Sequence, residues 1–326
     1  MIKVSIIIPA HNTAEYLKKC LDSMINQTIK DIEIIVVDDA SEPPIKPTIY
    51  EEYKEYDNII FLRNDIALRP GGARNRGLDI ARGQYVSFCD SDDWVDLNLY
   101  ENVVKYMDSS NADIGMVSMK RNADHLKNHI YKCKYEQLYT LSSATAIHIL
   151  SGNYDMGINI VPACINKIYR RNFIEKINAR FEEDIYFQGI LYSILTFLSA
   201  KKIICVPHVT YHHYLRIKSI TQSFDRKHIQ DFKECFKRMK LYFEKAGVFE
   251  KYASDYYRIL EIYLNVLVSE LFEYVYDEEI QKKFIQEILK AMREVVNFDD
   301  YIKYITAEKL RQHIQPHIKN TFDVLY

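Results

Sequence analysis

The chain is poor in glycine and proline, with 9 and 8 in 326 residues. Long flexible linkers and Pro-rich spacers are therefore excluded, and packed elements must supply the organisation. Cysteine is sparse too, and none of Cys20, Cys89, Cys133, Cys164, Cys205 and Cys235 stands at C-x-x-C spacing. All six sit in apolar surroundings, which reads as small buried hydrophobes in a reducing compartment rather than disulfides or a zinc site. Net charge is nearly absent: 43 Lys and Arg against 45 Asp and Glu leave -2. No global basic field draws such a chain to nucleic acid. No uncharged apolar run approaches the roughly 18 to 20 residues of a membrane-crossing helix. The start, "MIKVSIIIPAHN", is too short for a secretory leader and has strand character. The expectation is a cytoplasmic protein, with peripheral contact at the inner face of the cell membrane left open.

Hydrophobic residues make up 48% and charged residues 27% of the chain, ample for a core, and the length suggests about two domains. "VSIIIPA" (4–10) is a short β-branched run closed by proline, a buried strand. The next segment carries Leu17, Leu21, Met24 and Ile25 at helical spacing, with Asn12 or Thr13 to cap it and Glu15 in the first turn. "EIIVVDDAS", "NIIFLRN" and "QYVSFCDSDDW" read as further strands. "GGARNRGLDIARG" and "NLYENVVKYMDSS" read as helices, and "DIGMVSMKR" as another strand. Strand alternating with helix implies an α/β fold, a mainly parallel sheet flanked by helices. Ligands of such sheets bind beyond the carboxyl ends of the strands. Those ends carry His11 and Asn12, Asp38 and Asp39, Arg63 and Asn64, and Asp90 to Asp93. From about residue 225 only helical periodicity with i, i+4 charge partners remains. The division expected is a catalytic domain over 1–224 and a helical region over 225–326.

The stretch "YVSFCDSDDW" poses the chemical question. An apolar strand ends in Asp90, Asp92 and Asp93, three carboxylates that raise one another's pKa. A bound divalent cation would offset that repulsion; a solvated turn is the plainer alternative. "GGARNRG" lacks G-x-G-x-x-G spacing and does not follow the first strand, which argues against a nicotinamide enzyme.

Taken in series, "SIIIPAHN", "VVDDAS", "GGARNRGLDIARGQYVSFCDSDDW" and "FEEDIYF" resemble the inverting family 2 glycosyltransferases of the GT-A fold, over about residues 1 to 225. The resemblance implies a nucleotide sugar donor, a UDP-sugar first, and Mn²⁺ or Mg²⁺ as cofactor. It implies a nucleotide-sugar site of Pro9, His11, Asn12, Glu15, Asp39, Gly72, Arg74, Asn75, Asp90, Ser91 and Arg216. Asp92 is the metal ligand it favours, with His213 or its neighbour His212 as a further one; hard oxygen ligands suit these ions. Asp93 is either a supporting acid or a helix cap. His11 replaces the aromatic residue, often Tyr, that the family has near the base. Tyr214 stands where the family often has Arg, so the diphosphate contact falls on Arg216. Glu183-Asp184 resembles the family's Glu-Asp motif: Asp184 is the expected general base and Glu183 its supporting group, with Glu183 the alternative base. Asn166 and Lys167 are expected to line the acceptor cleft. The expected acceptor is a glycan or a lipid-linked polysaccharide precursor; self-association stays open. Two rival readings remain: a sugar-phosphate nucleotidyltransferase, which would carry a basic glycine-rich loop after the first strand, and a non-catalytic nucleotide-sugar-binding protein.

Overall fold

The computed structural model describes residues 1–123, 130–215 and 224–296. Strands and helices alternate first: β1 Val4–Ala10, α1 Ala14–Ile25, β2 Ile32–Asp38, α2 Ile45–Tyr53, β3 Ile59–Arg63, α3 Arg69–Ile80 and β4 Tyr85–Phe88. There follow β5 Trp94–Val95, α4 Leu99–Ser110, β6 Ile114–Asn122, β7 Ile130–Cys133, β8 Tyr139–Leu141 and α5 Ser143–Leu150. Then come β9 Lys167–Arg170, α6 Arg171–Lys176, α7 Gln188–Ser199 and the long β10 Ile203–Tyr214. Three helices close the described chain: α8 Arg226–Lys245, α9 Phe249–Tyr274 and α10 Glu278–Val295. Two compact units result. The first runs through Met1–Leu150, Asp155–Asp184 and the segment from Gln188 to the end of β10; the second gathers the helices α8 to α10 with Ser151–Tyr154 and Ile185–Phe187.

The first unit is one ten-stranded sheet of order β3-β2-β1-β4-β9-β6-β10-β5, with β7 on β6 and β8 on β10. The β3-β2-β1-β4 half is parallel, as the alternation of elements predicts. Both β1 and β2 are buried along all seven residues, which is why they read as unbroken apolar runs. The other half departs from a simple parallel order. β9 enters antiparallel between β4 and β6, and only β6 and β10 pair parallel there. Four residues, "KIYR", carry too little periodicity to announce that insertion.

Register sets the site. Ala10 pairs with Asp38, and Asp38 with Arg63, so β1, β2 and β3 end in one row. Beneath the later strands lies an aromatic cluster. Phe181 stacks on Tyr192 at 4.0 Å and meets Phe88 edge-on at 4.9 Å, and Tyr169 meets Tyr192 at 5.4 Å. Burying these four rings fixes the segment that leads to Glu183.

In the second unit, Asp225 caps α8 by accepting from the Lys227 and His228 amides. Phe232, Phe236 and Tyr256 form its core. Two of its buried carboxylates accept hydrogen bonds: Asp255 from the Ser151 hydroxyl at 2.6 Å, and Asp231 from the Tyr186 amide at 3.0 Å. Among the described residues, no helix is long and apolar enough to cross a membrane.

Candidate active site

The turn after β1 is zipped to the turn after β2. The Asn12 amide donates to Ser41 Oγ at 2.9 Å, and the Glu42 amide donates to Asn12 Oδ1 at 2.8 Å. His11 Nδ1 lies 2.6 Å from the Asp39 carbonyl oxygen and so carries the proton. Its Nε2 then accepts from the Asn12 side-chain Nδ2 at 3.1 Å. Two edge contacts fix an exposed imidazole whose faces can stack on a flat ring. Asp39 is buried, and its Oδ1 accepts from Asn64 Nδ2 at 2.6 Å and from the Leu68 amide at 2.8 Å. Asn64 Oδ1 in turn accepts from Arg76. The relay Arg76–Asn64–Asp39 anchors one carboxylate oxygen and leaves Oδ2 for a ligand donor. Asp38 points elsewhere: it accepts from the Ser41 and Ile45 amides and pairs with Arg63.

The three acids after β4 meet three different fates. Asp90 Oδ1 pairs with Arg74 at 2.5 Å, and Arg74 is itself buried and lies 5.4 Å from the Phe181 ring. Asp93 is fully buried. It accepts from the Tyr211 hydroxyl at 2.5 Å and from the Tyr214 amide at 2.7 Å, latching the acidic turn to the end of β10. Burial, and then the charges of Asp90, Cys89 and Asp92, push the Asp93 carboxyl well above the usual carboxylate range. Asp93 is thus a latch, and Asp92 is the acid of the turn suited to a metal. Ser91 exchanges a 2.8 Å hydrogen bond with Thr13, so the Thr13 hydroxyl ties α1 to this turn and makes no cap bond to its helix.

The two histidines separate as clearly. His212 Nε2 lies 2.8 Å from Asp96, and its ring stacks on Trp94 at 5.2 Å and 5°. His213 lies on the same face of β10 as Tyr211, whose hydroxyl meets the acidic turn, and burial lowers the His213 pKa against the charge of Asp90. Its Nδ1 is buried without a partner among the described residues. A carboxylate and a neutral imidazole suit a divalent ion. No group of three or more such ligands forms among the described residues.

Helix α3 docks directly on the segment 181–184. Asn75 spends its whole amide there. Nδ2 donates to the Phe181 carbonyl at 3.0 Å and to Glu183 Oε1 at 2.8 Å, and Oδ1 accepts from the Phe181 amide at 2.9 Å. A methyl group at Gly71 would stand 2.5 Å from the Glu182 carbonyl oxygen and also meet Gln188 Oε1; one at Gly72 would come within 3.6 Å of Glu183. Gly71 is there because the loop is that close; at Gly72 the near neighbour is Leu68 Cβ, 2.5 Å from where a methyl would stand. Arg69 donates to the Asp184 carbonyl at 3.3 Å.

The sheet edge thus gathers His11, Asn12 and Asp39, then Arg74, Asp90, Ser91, Asp92 and His213, then Asn75, Gly72 and Glu183. Pro9 is buried within β1, and Glu15 is exposed on the first turn of α1. Arg216 lies outside the described residues. Asn166 and Lys167 line no cleft: both are fully buried. Lys167 Nζ donates to the carbonyls of Val161 at 2.6 Å and Ala163 at 2.5 Å, holding that loop from beneath. Burial pushes its pKa down to about 8. Sequence reading missed the supporting residues Thr13, Arg76 and Tyr211; only Asn64 stood visibly at a strand end.

Fold and edge together define a glycosyltransferase of the GT-A type. More narrowly, residues 5–177 match the profile described as "Glycosyl transferase family 2", and the chain belongs to that family. It is 28% identical over 270 residues to glycosyltransferase GlyA of Streptococcus pneumoniae, a match covering 80% of this chain and 38% of that one. It is 33% identical over 122 residues to the poly(ribitol-phosphate) beta-glucosyltransferase of Bacillus spizizenii, covering 36% of this chain and 19% of the relative. The crystal structure of S. aureus TarS superposes with a TM-score of 0.71 at 20% identity, over 98% of this chain and 53% of that chain. A TarS structure in complex with UDP-GlcNAc superposes at 0.61. This chain spans about half or less of the length of these three proteins.

Proposed function

We propose that this chain is a metal-dependent inverting glycosyltransferase. It takes a sugar from a UDP-sugar and places it on a hydroxyl of a cell-surface glycan or polyol-phosphate polymer. The observation that carries the reading is the convergence, on one sheet edge, of an anchored Asp39, the Asp90–Asp92 turn with the end of β10 latched to it, and the Glu183–Asp184 loop. The names of the relatives support both partners: TarS is known with UDP-GlcNAc, and the Bacillus spizizenii enzyme is named for poly(ribitol-phosphate).

Asp39 Oδ2 accepts the imide N–H of uracil, a donor that an acceptor-only carboxylate suits. The His11 ring stacks on the base. Asp92 and His213 hold Mn²⁺ or Mg²⁺, which when bound neutralises the diphosphate leaving group. Asp184 takes the proton of the acceptor hydroxyl as its oxygen bonds to the anomeric carbon and the bond to the diphosphate breaks. Glu183 is already engaged by Asn75. That engagement favours Asp184 as the base and Glu183 as the group that fixes the loop.

A thermal-shift panel of UDP, UDP-sugars and nucleoside triphosphates, with and without Mn²⁺, tests the reading. A ligand at a hundredfold excess over its Kd stabilises by about 2.7 kcal/mol. A metal-dependent shift with UDP, larger with one UDP-sugar, is expected. A shift only with a nucleoside triphosphate plus sugar phosphate would point to a nucleotidyltransferase, and no shift with any nucleotide to a non-catalytic protein.

A further inference from the structure

Glu183 and Asp184 are exposed, and they stand between two anchored stretches of chain. On the amino side, Phe181 is buried in the aromatic cluster of the first unit and is held by Asn75. On the carboxyl side, the next three residues, Ile185–Phe187, belong to the second unit with α8, α9 and α10, and at Gln188 the chain returns to the first.

The helical unit grips this excursion along its length. Ile185 is buried. The Tyr186 amide donates to Asp231 Oδ2 on α8 at 3.0 Å. Asp231 is itself buried, and its Oδ1 accepts from Lys227 Nζ at 2.5 Å, which fixes the carboxylate in place. The Tyr186 ring stacks on the buried His228 at 4.7 Å and 27°, and His228 also stacks on Phe224 at 5.5 Å. The Phe187 ring meets Tyr263 of α9 edge-on at 5.7 Å, and Tyr263 meets Phe236 of the core at 6.0 Å. Anchoring both ends removes backbone freedom that an exposed dipeptide otherwise keeps. A general base needs that restraint, because it acts only within hydrogen-bond reach of the proton it takes.

We propose that Asp231 and His228 are positioning residues for Asp184, acting through Tyr186, so that transfer depends on the helical unit as well as on the sheet. The role of these two residues rests on the reading of Asp184 as the base.

Four full-length proteins test it: wild type, Asp231→Ala, Asp231→Asn and Tyr256→Phe. Each is assayed for sugar transfer from a UDP-sugar and, by calorimetry, for UDP binding with Mn²⁺. Alanine removes the acceptor of the Tyr186 amide, whereas asparagine keeps an oxygen that can accept it. Tyr256→Phe removes a buried hydroxyl that donates to the Phe236 carbonyl at 3.2 Å, so it loosens the same unit without touching Tyr186. In Asp231→Ala, kcat should fall about 10²-fold with UDP affinity as in wild type. Asp231→Asn should recover at least about tenfold of that loss, and Tyr256→Phe should turn over as wild type. Wild-type kcat in Asp231→Ala, an equal loss in the Ala and Asn variants, or an equal loss in Tyr256→Phe would overturn the proposal. Tyr186→Ala, at a half-buried ring, replaces Asp231→Ala should that variant not fold, with the same fall in kcat at unchanged UDP affinity. Should wild type transfer no sugar, or Asp184→Asn transfer at the full rate, the base reading fails by itself. Hydrogen exchange at the Tyr186 amide then decides the anchor alone: faster exchange in Asp231→Ala supports it, and equal exchange in the two proteins overturns it.

Discussion

Replacing Asn75 by Ala separates a nucleotide ligand from a device that positions the base. The sequence motif places Asn75 with the donor site, yet its three side-chain hydrogen bonds all run to Phe181 and Glu183. Alanine leaves the Phe181 amide and carbonyl without these partners, at about 1–3 kcal/mol for each group that stays buried. It also frees Glu183 from a charge-assisted bond worth about 1.5–3 kcal/mol. The loop bearing Asp184 then loses its tie to α3. A misplacement of about 1 Å at a reacting group costs about 10²-fold in rate. Steady-state kinetics with a UDP-sugar should therefore show kcat down by about 10²-fold, with UDP affinity by calorimetry within about threefold of wild type. A tenfold loss of UDP affinity with kcat unchanged would refute the reasoning and return Asn75 to the nucleotide.

Gly71→Ala forces a methyl to 2.5 Å from the Glu182 carbonyl oxygen, so chemical denaturation should show a loss of about 1–3 kcal/mol, with activity falling alongside. Unchanged stability would mean that the loop is not held against α3. Asp92→Asn should abolish the Mn²⁺-dependent part of the UDP thermal shift. Asp93→Asn should retain it, because both oxygens of that buried carboxyl are spent on the Tyr211 hydroxyl and the Tyr214 amide; the opposite pattern would exchange their roles. Lys167 supplies a pH test. Its folded pKa of about 8 lies below the ordinary 10.5, so between these values the unfolded chain binds more protons. Wild-type stability should therefore gain about 3 kcal/mol from this group as pH rises through that window, having borne the whole burial cost below it. Lys167→Met should lack the gain, as denaturant titrations at pH 7.5 and 9.5 would reveal; equal slopes in both proteins would contradict the assignment.

The parallel half of the sheet was legible because fully buried strands write unbroken β-branched runs that stop at polar residues. His11, Asp39 and Asp90 to Asp93 could be read at those stops, and Glu183-Asp184 from a motif. What stayed hidden depends on contacts distant in sequence. Asn75 and Phe181 are 106 positions apart, so no local pattern announces that α3 carries the segment 181–184. Asp92 and Asp93 are chemically identical neighbours, and only the distant Tyr211 and Tyr214 tell them apart. Asn166 and Lys167 look like surface polar residues until β9 is seen to run inside the sheet. Arg121 sits in a strand segment with nothing unusual in its spacing, and only the register with β10 sets it beside His213.

The central claim is that Asp184 removes the proton of the acceptor hydroxyl in a transfer from a nucleotide sugar. Asp184→Asn tests it most directly, assayed for both sugar transfer and UDP binding with Mn²⁺. Transfer should be lost while UDP binds as it does to wild type. Full turnover by the variant would contradict that role.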